Sequence, residues 1–332
     1  MPDSFQLSAL FFVLLQLIFT QSIQAQDLTN KTGKIAFQLT ETGLITEGVA
    51  YEASTGTFYI GSVYKRKIIS YNQQTGEKPF SLPADSLWGV FGMKVDGVRG
   101  ILWACSSTLP QAIGSTASTD GQSSLVAYDL KAKQLLHTYT VASDGKPHLL
   151  GDLTVTKNGT VYSTDSRTPS LYRLVAGEQM ITRFLTDSLF YSLQGLALSD
   201  DEQTLYVADY RRGPLAINLA TKLVTKLAWP AGADLSGIDG MYYYKNSLIA
   251  IQNRSKPYKV SRLYLSQTAK VIERVDSLIA GHPLMTEPTL GVVAGSQFYF
   301  IANSQWDAFD NAGKPVPNYP AQKPTILVLA LD

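Results

Sequence analysis

The sequence predicts an all-β protein built as a six-bladed propeller, and three observations carry that prediction. A segment made of a short apolar strand, a polar turn and an aromatic-rich strand recurs six times. The copies start at Glu47, Phe91, Gly151, Gln194, Asp239 and Glu287, in steps of 44, 60, 43, 45 and 48 residues. A period of about 40 to 50 residues filled with short strands belongs to propeller blades. Long helical periodicity is scarce. The 332 residues include 18 Tyr, 13 Phe and 25 Gly, a composition suited to pleated strands and tight turns. The alternative is a sandwich or irregular β-protein with coincidental turn spacing; six copies sharing a start, a turn and an aromatic strand favour the ring.

Taken in order, the elements begin with an apolar run, LFFVLLQLIFT from Leu10 to Thr20, followed by QSIQA. Its length suits the core of a signal peptide and is short for a membrane span. Cleavage after Ala25 is expected, leaving residues 26–332 as one propeller domain that is secreted or periplasmic and free of the membrane. The segment before the run has no Lys or Arg and carries Asp3, so an uncleaved anchor is the alternative. KIAFQLT (34–40) comes next and is assigned as the fourth strand of the last blade, an exchange that closes the ring and leaves no open sheet edge.

Within each copy an apolar strand (GVAY, GMKV, GLAL) leads into a turn (STG, KNG, SDDE) whose residues tolerate positive φ. The next strand (TFYIG, TVYST, TLYVA) is largely apolar on both faces, as strands stacked between neighbouring blades should be. KIISYN (67–72), SLYRLV (170–175), PLAINL and LVTKLAW (both within 214–229) supply outer strands. LGVVAG, QFYFIA and TILVLAL (325–331) supply the last blade. Two Gly-, Pro- and Ser-rich insertions, Ser106–Ser124 and Trp306–Lys323, read as loops able to cover one face.

Charge is balanced at a formal +1, with Lys and Arg scattered, which argues against nucleic-acid binding. The single cysteine, Cys105, excludes an intramolecular disulfide and reads as a buried structural thiol. Sequons occur at Asn30, Asn158 and Asn253. The acidic run Asp200–Glu202 lacks the spacing of a calcium loop and reads as a solvated turn. The acids in STD (163–165) and ADY (208–210) read as caps on loop backbone. No nucleophile elbow, phosphate loop, zinc spacing or dinucleotide fingerprint is present.

The text EGVAY…YIGSVYKRKIISY resembles the first blade of the senescence marker protein–gluconolactonase family, whose relatives include paraoxonases and strictosidine synthase-like proteins. GDLTVTKNGTVYSTDSRTPSLYRL resembles its third blade and QGLALSDDEQTLYVADY its fourth. The resemblance implies a divalent cation, calcium first, held at one end of the channel by the first residues of innermost strands. Oxygen ligands converging from several blades suit a hard cation. Carried over, the ligands are Glu47 and Asp239, with Gln194 in place of an Asn. Gly151 replaces a second Asn, and Asp152 beside it points away by strand alternation unless a bulge intervenes. The alternative is a metal-free polar channel with one carboxyl protonated.

Phe91 stands where paraoxonases carry a histidine. His148, three residues before Gly151, becomes a catalytic candidate with Asp239; His137 and His282 read as surface or packed residues. Phe91, Asn303 and Trp306 are expected to line the substrate channel; Arg211–Arg212 read as a solvated loop, with anion binding at the rim as the alternative. The resemblance implies a hydrolase of lactones or related esters acting on a small molecule. The rivals are a non-catalytic propeller that binds a small ligand and one that contacts proteins through Tyr-rich outer strands.

Overall fold

The computed structural model describes residues 33–268 and 270–332; the expected leader segment and Asn30 lie outside them. Six four-stranded antiparallel sheets form, each with its strands in chain order except the last. The innermost strands are Thr46–Glu52, Gly89–Asp96, Leu150–Val155, Leu193–Leu198, Ile238–Tyr243 and Gly291–Ala294. Each packs against the innermost strand of the next blade, and the sixth packs against the first, so the ring closes. No helix among the described residues is long and apolar enough to cross a membrane.

Closure follows the sequence expectation. Lys34–Gln38 pairs antiparallel with Thr325–Ala330 as the outermost strand of the sixth blade, with Gln38 opposite Thr325. The Gln38 amide also donates to the Thr325 hydroxyl at 2.9 Å. Phe37 then stacks on Tyr71 of the first blade, ring centroids 4.0 Å apart, and meets Phe58 at 5.0 Å. The seam between last and first blades is thus held by ladder bonds and an aromatic cluster together.

The core lies between blades. Tyr59, Phe80, Met93 and Leu102 fill the gap between the first and second, and Tyr206, Leu235, Met241 and Leu248 that between the fourth and fifth. Strands buried on both faces explain why the second strands read as continuous apolar runs. Cys105 is buried in this packing, its thiol pushed well up by burial, as the sequence suggested. The two insertions meet over one face: Gln111 donates to the Asp310 carbonyl at 3.2 Å, and the Tyr64 and Phe309 rings sit 4.5 Å apart.

Candidate functional site

Five of the six innermost strands carry a bulge near their first residues, between Thr46 and Val49, Val90 and Met93, Leu150 and Asp152, Leu193 and Leu196, and Ile238 and Met241. A bulge frees a residue from the ladder and re-aims it. Here it turns Glu47, Phe91, Gln194 and Asp239 toward the axis. The glycine that follows each is a packing requirement. A Cβ on Gly48 would lie 2.0 Å from the Phe91 carbonyl oxygen, and one on Gly195 2.4 Å from the Met241 nitrogen. The sixth blade has no such bulge and presents Leu290 to the axis, three residues after its repeat begins at Glu287.

These residues line one cavity of about 370 Å³ at the end of the channel where the innermost strands start. Glu47, Phe91, Asp152, Gln194, Asp239 and Trp306, all expected at the site, are on its wall. The bulge at Leu150–Asp152 overturns strict alternation in the third blade, so both Gly151 and Asp152 border the cavity. Nearest to the place a Gly151 Cβ would take, at 4.0 Å, is the Gln194 amide oxygen. The longer side chain in blade four thus faces the missing one in blade three.

Two expected residues are placed elsewhere. His148 is buried with both ring nitrogens engaged, Nδ1 with Asp165 at 2.6 Å and Nε2 with Asp144 at 3.0 Å, and it does not line the cavity. Three residues of loop precede the innermost strand there, and they carry His148 behind the wall. Asn303 is also buried: its Oδ1 accepts from the Thr325 backbone at 2.7 Å and its Nδ2 donates to the Lys323 carbonyl at 3.0 Å. It secures the loop that carries Trp306, rather than the channel wall.

Asn253, read from the sequence only as a sequon, belongs to the site. Its Nδ2 donates to Asp239 Oδ2 at 2.7 Å and to the Pro288 carbonyl at 2.9 Å, while its Oδ1 accepts from the Tyr210 hydroxyl at 2.9 Å. The strand register holds the signal. Asp165, Asp209 and Gln252 pair with the bulge-preceding residues Leu150, Leu193 and Ile238. The residues that follow them, Ser166, Tyr210 and Asn253, all line the cavity.

The electrostatics are those of an acidic, enclosed pocket. Glu47 Oε2 accepts from the Trp306 indole at 2.9 Å and from the Ser304 hydroxyl at 3.3 Å. Burial, then the charge of Asp239, pushes the Glu47 carboxyl well up, and burial raises Asp239 despite the Asn253 bond. Burial also lifts Asp152 to about 7, countered in part by Lys94, and lifts Glu287, which accepts from the Trp306 backbone at 2.7 Å, to about 7. Unfolded carboxyls titrate near 4. The folded chain therefore holds more protons than the unfolded one between about pH 4 and pH 7, and stability falls as pH rises through that window. Thermal unfolding in chelator at fixed ionic strength should give a lower midpoint at pH 8 than at pH 5.5; a flat or rising profile would contradict this.

The donor set suits a hard cation, thinly. Glu47 Oε1, Asp239 Oδ1 and Gln194 Oε1 accept no hydrogen bond among the described residues and border one space. No three His, Cys, Asp or Glu side chains among the described residues are grouped closely enough to hold an ion. A cation here would need the Gln194 amide as third protein donor and water to complete its shell. The apolar part of the wall is formed by Phe91 and Trp306, ring centroids 6.4 Å apart, with Leu109, Leu149 and Leu290.

No protein-family model matches the chain, and no curated protein matches it in sequence. Solved structures do. A gluconolactonase from Xanthomonas campestris is 14% identical, with a TM-score of 0.60 over 90% of this chain and 94% of that one. The major allergen of Malassezia sympodialis is 14% identical, with a TM-score of 0.64 over 87% and 95%. A pyrroloquinoline quinone-bound aldose sugar dehydrogenase from Streptomyces coelicolor is 15% identical, with a TM-score of 0.59 over 90% and 98%. At these identities the likeness carries architecture and not chemistry. By its sheets, its closure and these neighbours, the chain is a six-bladed β-propeller of the architecture shared by gluconolactonases and sugar dehydrogenases.

Proposed function

We propose that the protein is an exported hydrolase of lactones or related esters, working with a divalent cation, calcium first, held by Glu47, Asp239 and Gln194. One observation carries the reading: two buried carboxylates, each with an unused oxygen, line the same cavity as the Gln194 amide at one end of the channel. Gluconolactonases with this fold support it by analogy. A bound cation would supply Lewis acidity, polarising the substrate carbonyl and stabilising the oxyanion that develops on it.

The chain's own residues do the positioning. Trp306 and Ser304 hold Glu47 from one side, and Asn253 holds Asp239 from the other, so neither carboxylate is free to swing. Asp239 would act both as a ligand and as the base-side partner of the attacking water. Phe91, Trp306 and Leu290 shield the reacting carbonyl from bulk solvent. His148 takes no part, being committed to Asp165 and Asp144.

The test is calorimetric titration of chelator-treated mature protein with Ca²⁺, Mn²⁺ or Zn²⁺, beside a proton-release assay on γ- and δ-lactones. Saturable binding, cation-dependent turnover and a flatter pH profile of stability are expected. Protein that neither binds a cation nor opens a lactone would sink the reading. A non-catalytic ligand-binding propeller is favoured instead by the bare Gly151 and by the absence of histidine from the cavity wall. It predicts ligand affinity indifferent to chelator.

A further inference from the structure

The other end of the channel poses a separate question. Three residues beyond the axial position of each innermost strand lie Ala50, Lys94, Thr154, Ala197, Tyr242 and Val293. The same register places them on a second tier. Three are small, so the tier is filled mainly by Lys94 and Tyr242, and Lys94 is the only charge in it. Its ammonium stands 5.4 Å from the centre of the Tyr242 ring. It makes no hydrogen bond or ion pair with any described residue.

Lys94 is half-buried, and its three N–H donors have no protein acceptor among the described residues to satisfy them. The nearest opposing charge, Asp152, is already used: its Oδ1 accepts the Leu153 N–H at 2.9 Å, and the Leu196 N–H also bonds it. Burial draws the Lys94 ammonium below the usual lysine range, with Asp152 opposing the shift. Two adjoining cavities of about 340 Å³ each share Lys94, Val155, Lys157, Glu202 and Val293 and open the tier to the far face.

We propose that this far mouth is a second ligand site, which takes a small monocarboxylate with an apolar body. The carboxylate would accept the Lys94 N–H donors, a charge-assisted bond. The body would lie against Tyr51, Tyr242, Leu198 and the two valines. A monoanion is specified because Lys94 is the ammonium there with no hydrogen-bond partner among the described residues, while the other two cations are already engaged. Arg99 is held by Asp96 at 2.9 Å and by the Lys157 carbonyl at 2.9 Å, and Lys157 Nζ donates to the Asp200 carbonyl at 2.7 Å. Glu202 and Asp200 on the rim repel a more highly charged ligand. The site stands apart from the acidic cavity and does not depend on the hydrolase reading.

Sodium benzoate titrated against chloride at constant ionic strength is the probe, read by thermal shift. A saturable rise in the midpoint is expected, with affinity about tenfold or more weaker in Lys94→Met. Inorganic phosphate should bind more weakly than benzoate. Wild-type protein pulsed with acetic anhydride gives a second readout that needs no variant: benzoate should slow acetylation of Lys94 and leave the exposed Lys131, which lines neither cavity, unchanged. Non-saturating benzoate, equal binding by Lys94→Met, phosphate as tight as benzoate, or unprotected Lys94 would each overturn the proposal.

Discussion

Asp239→Asn should lower kcat/KM for a lactone substrate by about 100- to 1,000-fold, the scale seen when one preorganised electrostatic group is lost from an active site. The substitution preserves shape. An asparagine oxygen can still accept from Asn253, so the wall stays in place. What disappears is one of the two carboxylates that face each other across the cavity. Cation affinity should fall with activity, because Glu47 and Gln194 then remain as the only free donors of the set.

Stability should move the opposite way. Asp239 raises the Glu47 carboxyl by its charge, so ionising both is unfavourable in the empty site. Removing one charge relieves that repulsion. In chelator at pH 8, Asp239→Asn should unfold at a higher temperature than the native chain, the pattern of a site that trades stability for function. Activity within threefold of native, or a lower unfolding temperature with activity intact, would remove Asp239 from the proposed chemistry.

The second large effect is structural. Asp209→Ala should cost about 2–3 kcal/mol of stability, the range for losing a charged acceptor that holds several part-buried N–H groups. Asp209 is fully buried at the end of the second strand of blade four. One oxygen accepts the backbone N–H groups of Tyr191 at 2.6 Å and Ser192 at 3.0 Å; the other accepts those of Arg211 at 3.1 Å and Arg212 at 3.0 Å. Alanine leaves four backbone donors without a partner. Denaturant titration should show the midpoint falling in the order native, Asp209→Asn, Asp209→Ala. Asp201→Ala, in the exposed acidic turn, should leave it nearly unchanged. Equal midpoints for Asp209→Ala and Asp201→Ala would contradict the capping role.

Asp165 repeats this role in blade three, taking the Leu149, Arg167 and Thr168 N–H groups on one oxygen and His148 on the other. The reading of both acids as loop caps from STD and ADY therefore holds. It also explains His148. A histidine three residues before Gly151 reads as a channel-mouth candidate, but the same spacing lets it close onto the capping acid of its own blade. Distance along the chain did not distinguish the two, because the choice depends on where the second strand ends in space.

The repeat was legible because it is local. Turn residues, strand length and aromatic content recur within each copy, and each is dictated by backbone conformation and by burial between neighbouring sheets. The closing strand at Lys34–Gln38 was legible for a related reason: an edge left open in a ring is costly, and one segment of strand character remained to cover it. Glu47, Gln194 and Asp239 could be placed at the axis because the resemblance to the family's blades implies that role for the first residue of each innermost strand.

Tertiary structure alone decided the rest. A bulge brought Asp152 to the cavity wall against strand alternation, and no composition rule fixes where a ladder slips. Asn253 entered the site through its bonds to Asp239 and Tyr210, partners 14 and 43 residues away. Lys94 became notable only through what surrounds it, since whether a half-buried cation has a partner depends on the neighbouring blades. Periodicity and turn chemistry act over a few residues and are written in the chain. The direction of a side chain at a bulge, and the pairing of buried charges, are set by strands that meet only when the ring closes.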